Sequence, residues 1–201
     1  MPTQFFPNPV FGWAFIVCVG AVLAAASWSD VRRMIVPKPV TLTGLALGLV
    51  FTVARCAWLG ADDKPTWPGW FGTPGAAAGA ADGVVFALTG FLAGFALFFA
   101  FWILGLAGGG DVKIVAVIGT WVGPKYLFGV VLLSYPVVIA LLLLSLAGVT
   151  ISMTTVKTPV AGPAPAKKKR LTLYSLPLAV ATVALLTFSF RHDLGLVDPT
   201  P

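Results

Sequence analysis

Apolar stretches at about 10–29, 40–59, 83–107, 112–123, 126–150 and 171–190 divide the chain, with polar, Pro- or Gly-bearing segments between them. At 1.5 Å per residue, five of these stretches make helices of about 30 Å or more, enough to cross the hydrocarbon core of a bilayer. The fourth reaches only about 18 Å before Gly123-Pro124, which predicts either a short span or a re-entrant segment. The pattern therefore predicts an all-α, polytopic membrane protein of about six transmembrane helices. It is expected to form a single membrane-embedded domain over residues 1–201.

Charge placement decides between the two readings of the fourth stretch. The cations gather at Arg32, Arg33 and Lys38, at Lys113, and at Lys167, Lys168, Lys169 and Arg170. If 112–123 spans, the connections 30–39, 108–113 and 151–170 share one side, and loops rich in Lys and Arg belong on the cytoplasmic side. Six spans then put both termini outside. Arg55 and Lys64 stand against this bias. Residues 60–81, with Trp58, Trp67 and Trp70 around them, read as an outer interfacial loop with an aromatic belt. Asp82 reads as a cap at the outer entrance of the third helix, and residues 151–170 as a polar loop. Gly44, Gly48, Gly90 and Gly94 have the small-xxx-small spacing of close helix packing.

Composition agrees with the hydropathy pattern, with 58% of residues hydrophobic and 10% charged, and about six spans with short connections take up the 201 residues, so no separate soluble domain is expected. The net charge of +6 sits in connections between apolar stretches, so a lipid surface, not nucleic acid, is the expected partner. Cys18 and Cys56 have no paired spacing and read as core or lipid-facing residues, and no metal site or cofactor is expected. The N-terminus lacks a cationic n-region, so the first stretch is expected to stay as a span.

Glu is absent, and the seven acids are all Asp: Asp30, Asp62, Asp63, Asp82, Asp111, Asp193 and Asp198. On the six-span topology Asp30 ends helix 1 and Asp111 opens helix 4, both at the cytoplasmic level. Acids beside a bilayer core are costly and are usually kept for a task. Two facing carboxyls share a proton, so that one activates water and the other donates to a scissile carbonyl. Gly108, Gly109 and Gly110, without Cβ atoms, let a peptide strand approach closely. The histidine, His192, falls on the outer side, away from the acids, which removes a Ser/His or Cys/His mechanism. The plainer readings are that Asp30 is a solvated helix end and Asp111 a helix N-cap.

The stretches Asp30-Val31-Arg32-Arg33-Met34-Ile35-Val36-Pro37 and Gly105-Leu106-Ala107-Gly108-Gly109-Gly110-Asp111-Val112-Lys113, continuing through Gly119, Trp121, Gly123 and Pro124, resemble the two signatures of type IV prepilin peptidases. These are aspartyl proteases of the bacterial inner (cytoplasmic) membrane with a G-x-G-D motif. The resemblance implies that Asp30 and Asp111 are the catalytic pair, with Gly108, Gly109, Gly110 and Lys113 as motif support. It also implies that the substrate is a pilin-like precursor, cut after a glycine between its basic leader and its hydrophobic helix. Lys38 stands where the family often has Asn. The paired Cys-x-x-Cys segment of longer members is missing, so the chain is similar to the short form of tight-adherence pilus systems, and N-methyltransferase activity is not expected. Presenilin-type G-x-G-D proteases fit less well, since Ser29 stands where they have Tyr. From a different class, a small proton-coupled transporter or scaffold using the same acids is the alternative.

Overall fold

The computed structural model describes residues 4–33, 36–66, 75–105, 107–146 and 175–196. Among them all regular structure is helical: α1 (Pro9–Arg33), α2 (Lys38–Ala61), α3 (Ala76–Ile103), α4 (Gly109–Leu146) and α5 (Ser175–Ser189). The segments Pro9–Asp30, Lys38–Ala61, Ala76–Ile103 and Gly109–Pro136 are each long and apolar enough to cross a membrane, and Leu176–Ser189 is a shorter apolar helix. Helices satisfy their backbone groups internally, which is what hydrocarbon requires. Their outward faces keep large apolar side chains such as Val17, Leu92, Leu132 and Phe188 exposed. The cationic group Lys167 to Arg170, the belt residues Trp67 and Trp70, and Asp198 lie outside the described residues.

The fourth and fifth apolar stretches form one continuous helical element, α4, broken at Gly123, whose φ of 71° and ψ of 172° are not helical. A positive φ suits glycine, and Pro124 after it has no N–H to continue the preceding ladder. The break is a reversal. A Cβ on Gly94 would lie 2.6 Å from the carbonyl oxygen of Val115 and 3.2 Å from a methyl of Leu127. A straight helix would part those two residues by about 18 Å. The first arm of α4 therefore climbs beside α2, with Val117 at Gly44 and Trp121 at Gly48, and the second arm descends beside α5, with Tyr126 at Phe190 and Gly129 at Leu185.

Helix contacts sort the ends into two groups. Gly12 meets Leu194 and Gly20 meets Val183, so α1 and α5 are antiparallel. Gly75 N–H donates to the Gly60 carbonyl at 3.0 Å, which joins the end of α2 to the start of α3. The end of α1, the start of α2, the end of α3 and the start of α4 thus share one end of the bundle.

Glycines set how closely these helices pack. A Cβ on Gly90 would overlap the Gly119 carbonyl oxygen, and one on Gly119 the Gly90 carbonyl oxygen, so α3 and α4 touch backbone to backbone. The expected small-xxx-small packing at Gly90 and Gly94 is what holds α3 against α4. At the centre, buried Trp121 stacks on Phe51 at 5.4 Å, meets Phe15 edge-on at 5.0 Å and donates Nε1–H to the Gly44 carbonyl at 2.9 Å.

Several expectations change at the far end. α3 begins at Ala76 rather than near 83, because the Ala-rich stretch 76–81 is helical although only mildly apolar. Its N-cap is Gly75, so Asp82 is not a cap; it is buried inside α3 and accepts a hydrogen bond from Thr66 Oγ1 at 2.5 Å. Arg55 is buried, and its guanidinium lies 3.9 Å over the Phe5 ring and 4.6 Å over that of Phe86. It faces the bundle rather than a loop, so it does not enter the side-to-side charge comparison. Lys64 pairs with Asp62 at 3.5 Å, which offsets its charge locally. Asp193 Oδ2 accepts the N–H groups of Phe5 at 2.7 Å and Phe6 at 3.2 Å, tying the N-terminal segment to the end of the bundle that holds His192.

Candidate active site

Asp111 is held by the local chemistry of its helix start. α3 ends at Ile103 with Leu104 as its C-cap, Gly105 follows at φ 74°, and Ala107 N–H reaches back to the Phe101 carbonyl at 3.3 Å. A left-handed residue just past a helix end is a usual way to close it. The chain then enters α4, with Gly108 O accepting from Asp111 N–H at 3.1 Å and from Val112 N–H at 3.4 Å. Asp111 Oδ2 in turn accepts the Gly108 N–H at 2.8 Å. Asp111 is therefore the third residue of a helix capped at Gly108, not the N-cap itself; its bond to the Gly108 N–H is one half of a capping box and orients the carboxyl group. The carboxylate also sits in the first turn, where the helix dipole favours negative charge.

Each glycine of the run has a different neighbour. A Cβ on Gly108 would lie 3.2 Å from Asp111 Oδ2, one on Gly109 3.9 Å from Trp102 Nε1, and one on Gly110 3.3 Å from Val36 Cγ2. The run thus carries the start of α4 past its own carboxyl group, the end of α3 and the connection between α1 and α2. A side chain at Gly110 would press that connection away.

Asp30 is not the last residue of its helix, as the sequence predicts; α1 continues to Arg33 and leaves Asp30 in the final turn. Trp28 is exposed at this end, with the Arg32 guanidinium 4.1 Å above its ring. An aromatic and a cation one turn apart suit a membrane interface. Asp30 lies seven positions after Leu23 and four after Ala26, on one face of α1. Asp111 precedes Ile114 by three positions on α4.

Leu23, Ala26, Ile114 and Val117, with Val22, Val36, Val40 and Thr41, line a small crevice between α1, α2 and α4. It encloses about 10 Å³, the room of about one water molecule. The two acids are both half-buried, and both stand one turn from this crevice, at the same end of the bundle. Lys113 is exposed beside them. Asp82 and His192 belong to the opposite end. Among the described residues no three His, Cys, Asp or Glu gather as metal ligands, and the cysteines Cys18 and Cys56 are unbridged.

Of the crevice residues, Val36, Ile114 and Val117 fall within the two signature stretches, and the others carry no motif; what links them to the acids in sequence is spacing, since Ala26 precedes Asp30 by one helical turn and Ile114 follows Asp111 by one.

A search among curated proteins finds no match, and neither does one among solved structures. The model of the type IV leader peptidase family matches residues 16–153, a span that contains both acids, the glycine run and the crevice. That match covers more than half of the 201 residues, and the helical bundle with its long apolar helices is what a membrane protease of this kind needs, so the chain belongs to the type IV leader peptidase family.

Proposed function

We propose that the protein is a membrane aspartyl endopeptidase that removes the basic leader from type IV pilin-like precursors, with Asp30 and Asp111 as its catalytic pair. The observation that carries this reading is the convergence of α1 and α4, which brings the two acids to one end of the bundle beside a shared crevice. One carboxylate takes a proton from water as it attacks the scissile carbonyl while the other, as the neutral acid, protonates the carbonyl oxygen; the first then gives its proton to the leaving amine as the second takes one back from the tetrahedral diol. Gly108 to Gly110 leave the backbone open to a substrate strand, and the Gly108 bond holds Asp111 in place. Lys113 and Arg32 lie at the membrane interface on the same side.

Arg32, Lys38 and Lys113 mark this end as the cytoplasmic one, with the chain forming a single domain of six apolar passes in a bacterial inner membrane and both termini outside. The fold-back at Gly123 supports this parity, because it returns the second arm of α4 toward the acid end, where α5 then starts. Reporter fusions at residues 70 and 195 should read as external and a fusion near 160 as cytoplasmic. An external reading near 160 would remove the basic group 167–170 from the acid side and defeat the topology.

The function itself is tested with purified protein and a pilin-like precursor, with cleavage followed by the mass of the released leader. A single cut between leader and apolar helix is the expected product. No cut in any precursor with a basic leader and apolar helix would rule the peptidase reading out.

A further inference from the structure

Resting on the peptidase reading, we propose that Ser27 is a positioning residue of the reaction, whose hydroxyl donates a hydrogen bond to the Asp30 carboxyl group at the stage when that acid carries the negative charge.

The buried hydroxyls among the described residues set Ser27 apart. Thr120 donates to the Ala116 carbonyl at 3.1 Å, Ser134 to that of Val131 at 2.6 Å and Thr182 to that of Leu178 at 2.7 Å, each within its own helix. Thr52 donates across the bundle to the Thr120 carbonyl at 3.1 Å. Ser27 is only 6% exposed, and its Oγ has no hydrogen-bond partner. A buried hydroxyl left unpaired weakens a fold, and alanine here would remove that loss and make a better helix. The fold gains nothing from this hydroxyl, so its use is sought in the reaction.

The register of α1 points to Asp30. Ser27 lies three residues before it, and residues so spaced face one another with Cβ atoms about 5–6 Å apart, within reach of a hydroxyl and a carboxyl group. Side chains on a helix lean toward its N-terminus, which carries the Asp30 side chain toward the turn that holds Ser27.

The helices offer the two acids different settings for a negative charge. Asp111 sits in the first turn of α4, at the positive end of the dipole, and accepts the Gly108 N–H at 2.8 Å. Asp30 sits in the final turn of α1, where the dipole opposes a carboxylate. Yet each acid of such a pair is ionised at one stage, since one begins as the carboxylate and the other becomes it on protonating the scissile carbonyl. The Ser27 hydroxyl can turn toward Asp30 at that stage by rotation about one bond, and the bond weakens once the acid is neutral again.

The test uses the full-length protein and a pilin-like precursor, with kcat and KM measured for wild type, Ser27→Ala and Ser27→Thr. Ser27→Ala should lower kcat by about 10- to 100-fold, the scale of a hydrogen bond to a charged group, and leave KM within about 2-fold of wild type. Its melting temperature in detergent should equal or exceed that of wild type, because the variant loses an unpaired hydroxyl. Ser27→Thr keeps the donor and should recover most of the lost kcat. Wild-type kcat in Ser27→Ala, a loss confined to KM, or an equal loss in both variants would overturn the role while leaving the peptidase reading intact. A Ser27→Ala protein that melts lower or fails to accumulate would show that the hydroxyl serves the fold, and would overturn it too. Should Ser27→Thr not accommodate its added methyl group, the kcat, KM and melting of Ser27→Ala still decide. If wild type cuts no precursor at all, the peptidase reading falls first and this role with it.

Discussion

Asp30→Asn and Asp111→Asn are each expected to reduce precursor cleavage by about 1,000-fold or more, with the protein still accumulating in the membrane. The amide has nearly the shape of the carboxyl group but cannot exchange a proton with the attacking water or the leaving amine. At Asp111 it can also keep the capping contact, since an amide oxygen accepts the Gly108 N–H as a carboxylate oxygen does. Loss of activity with unchanged melting in detergent would therefore separate catalysis from capping. The double variant should be little worse than either single one, because residues acting as a unit are not additive. Asp82→Asn is the control: that acid lies at the opposite end and accepts from Thr66, so cleavage should persist. Turnover near wild type in either Asp30→Asn or Asp111→Asn would sink the pair.

Gly90→Val is expected to abolish the folded protein, at a cost of about 4 kcal/mol or more. A Cβ at this position would overlap the carbonyl oxygen of Gly119, and backbone cannot rotate away as the end of a side chain can. Separating α3 from α4 would also displace Val115, Leu127 and the arm that carries Asp111. Gly20→Ala makes the comparison informative, because its Cβ would lie 3.7 Å from Val183, an ordinary contact. That variant should melt like wild type or slightly above it, since alanine is the better helix former. The measurement is the detergent-extracted yield and melting temperature of both. A stable, active Gly90→Val protein would mean that α3 and α4 do not meet at this point.

Hydropathy carried the class of this protein, because a helix facing lipid must be apolar over nearly its whole length and nothing subtler than a run of apolar residues is needed to see it. The run lengths placed α1 and α2 closely, and the Gly123-Pro124 pair marked the break in α4 from local backbone chemistry alone. The two aspartates stood out for the same reason: with Glu absent and few charges, acids beside apolar runs are conspicuous. What hydropathy misplaced was local in origin. The start of α3 was missed because alanine and glycine are weakly apolar, and with it the buried setting of Asp82.

The sequence by itself therefore determined the membrane class, the break at Gly123 and the two acids as candidates, since each depends on residues close together in the chain. Only the tertiary structure decided that the arms of α4 fold back on one another, that Arg55 turns inward onto Phe5 and Phe86, and that Leu23, Ala26, Ile114 and Val117 close a crevice one turn from both acids. Those facts depend on which helix faces meet. In a bundle whose helices are apolar on every side, hydropathy does not tell the lipid face from the packed face. That choice is made by glycines meeting backbone, as at Gly90 and Gly119, where only the fit between two helices distant in sequence sets how closely they approach.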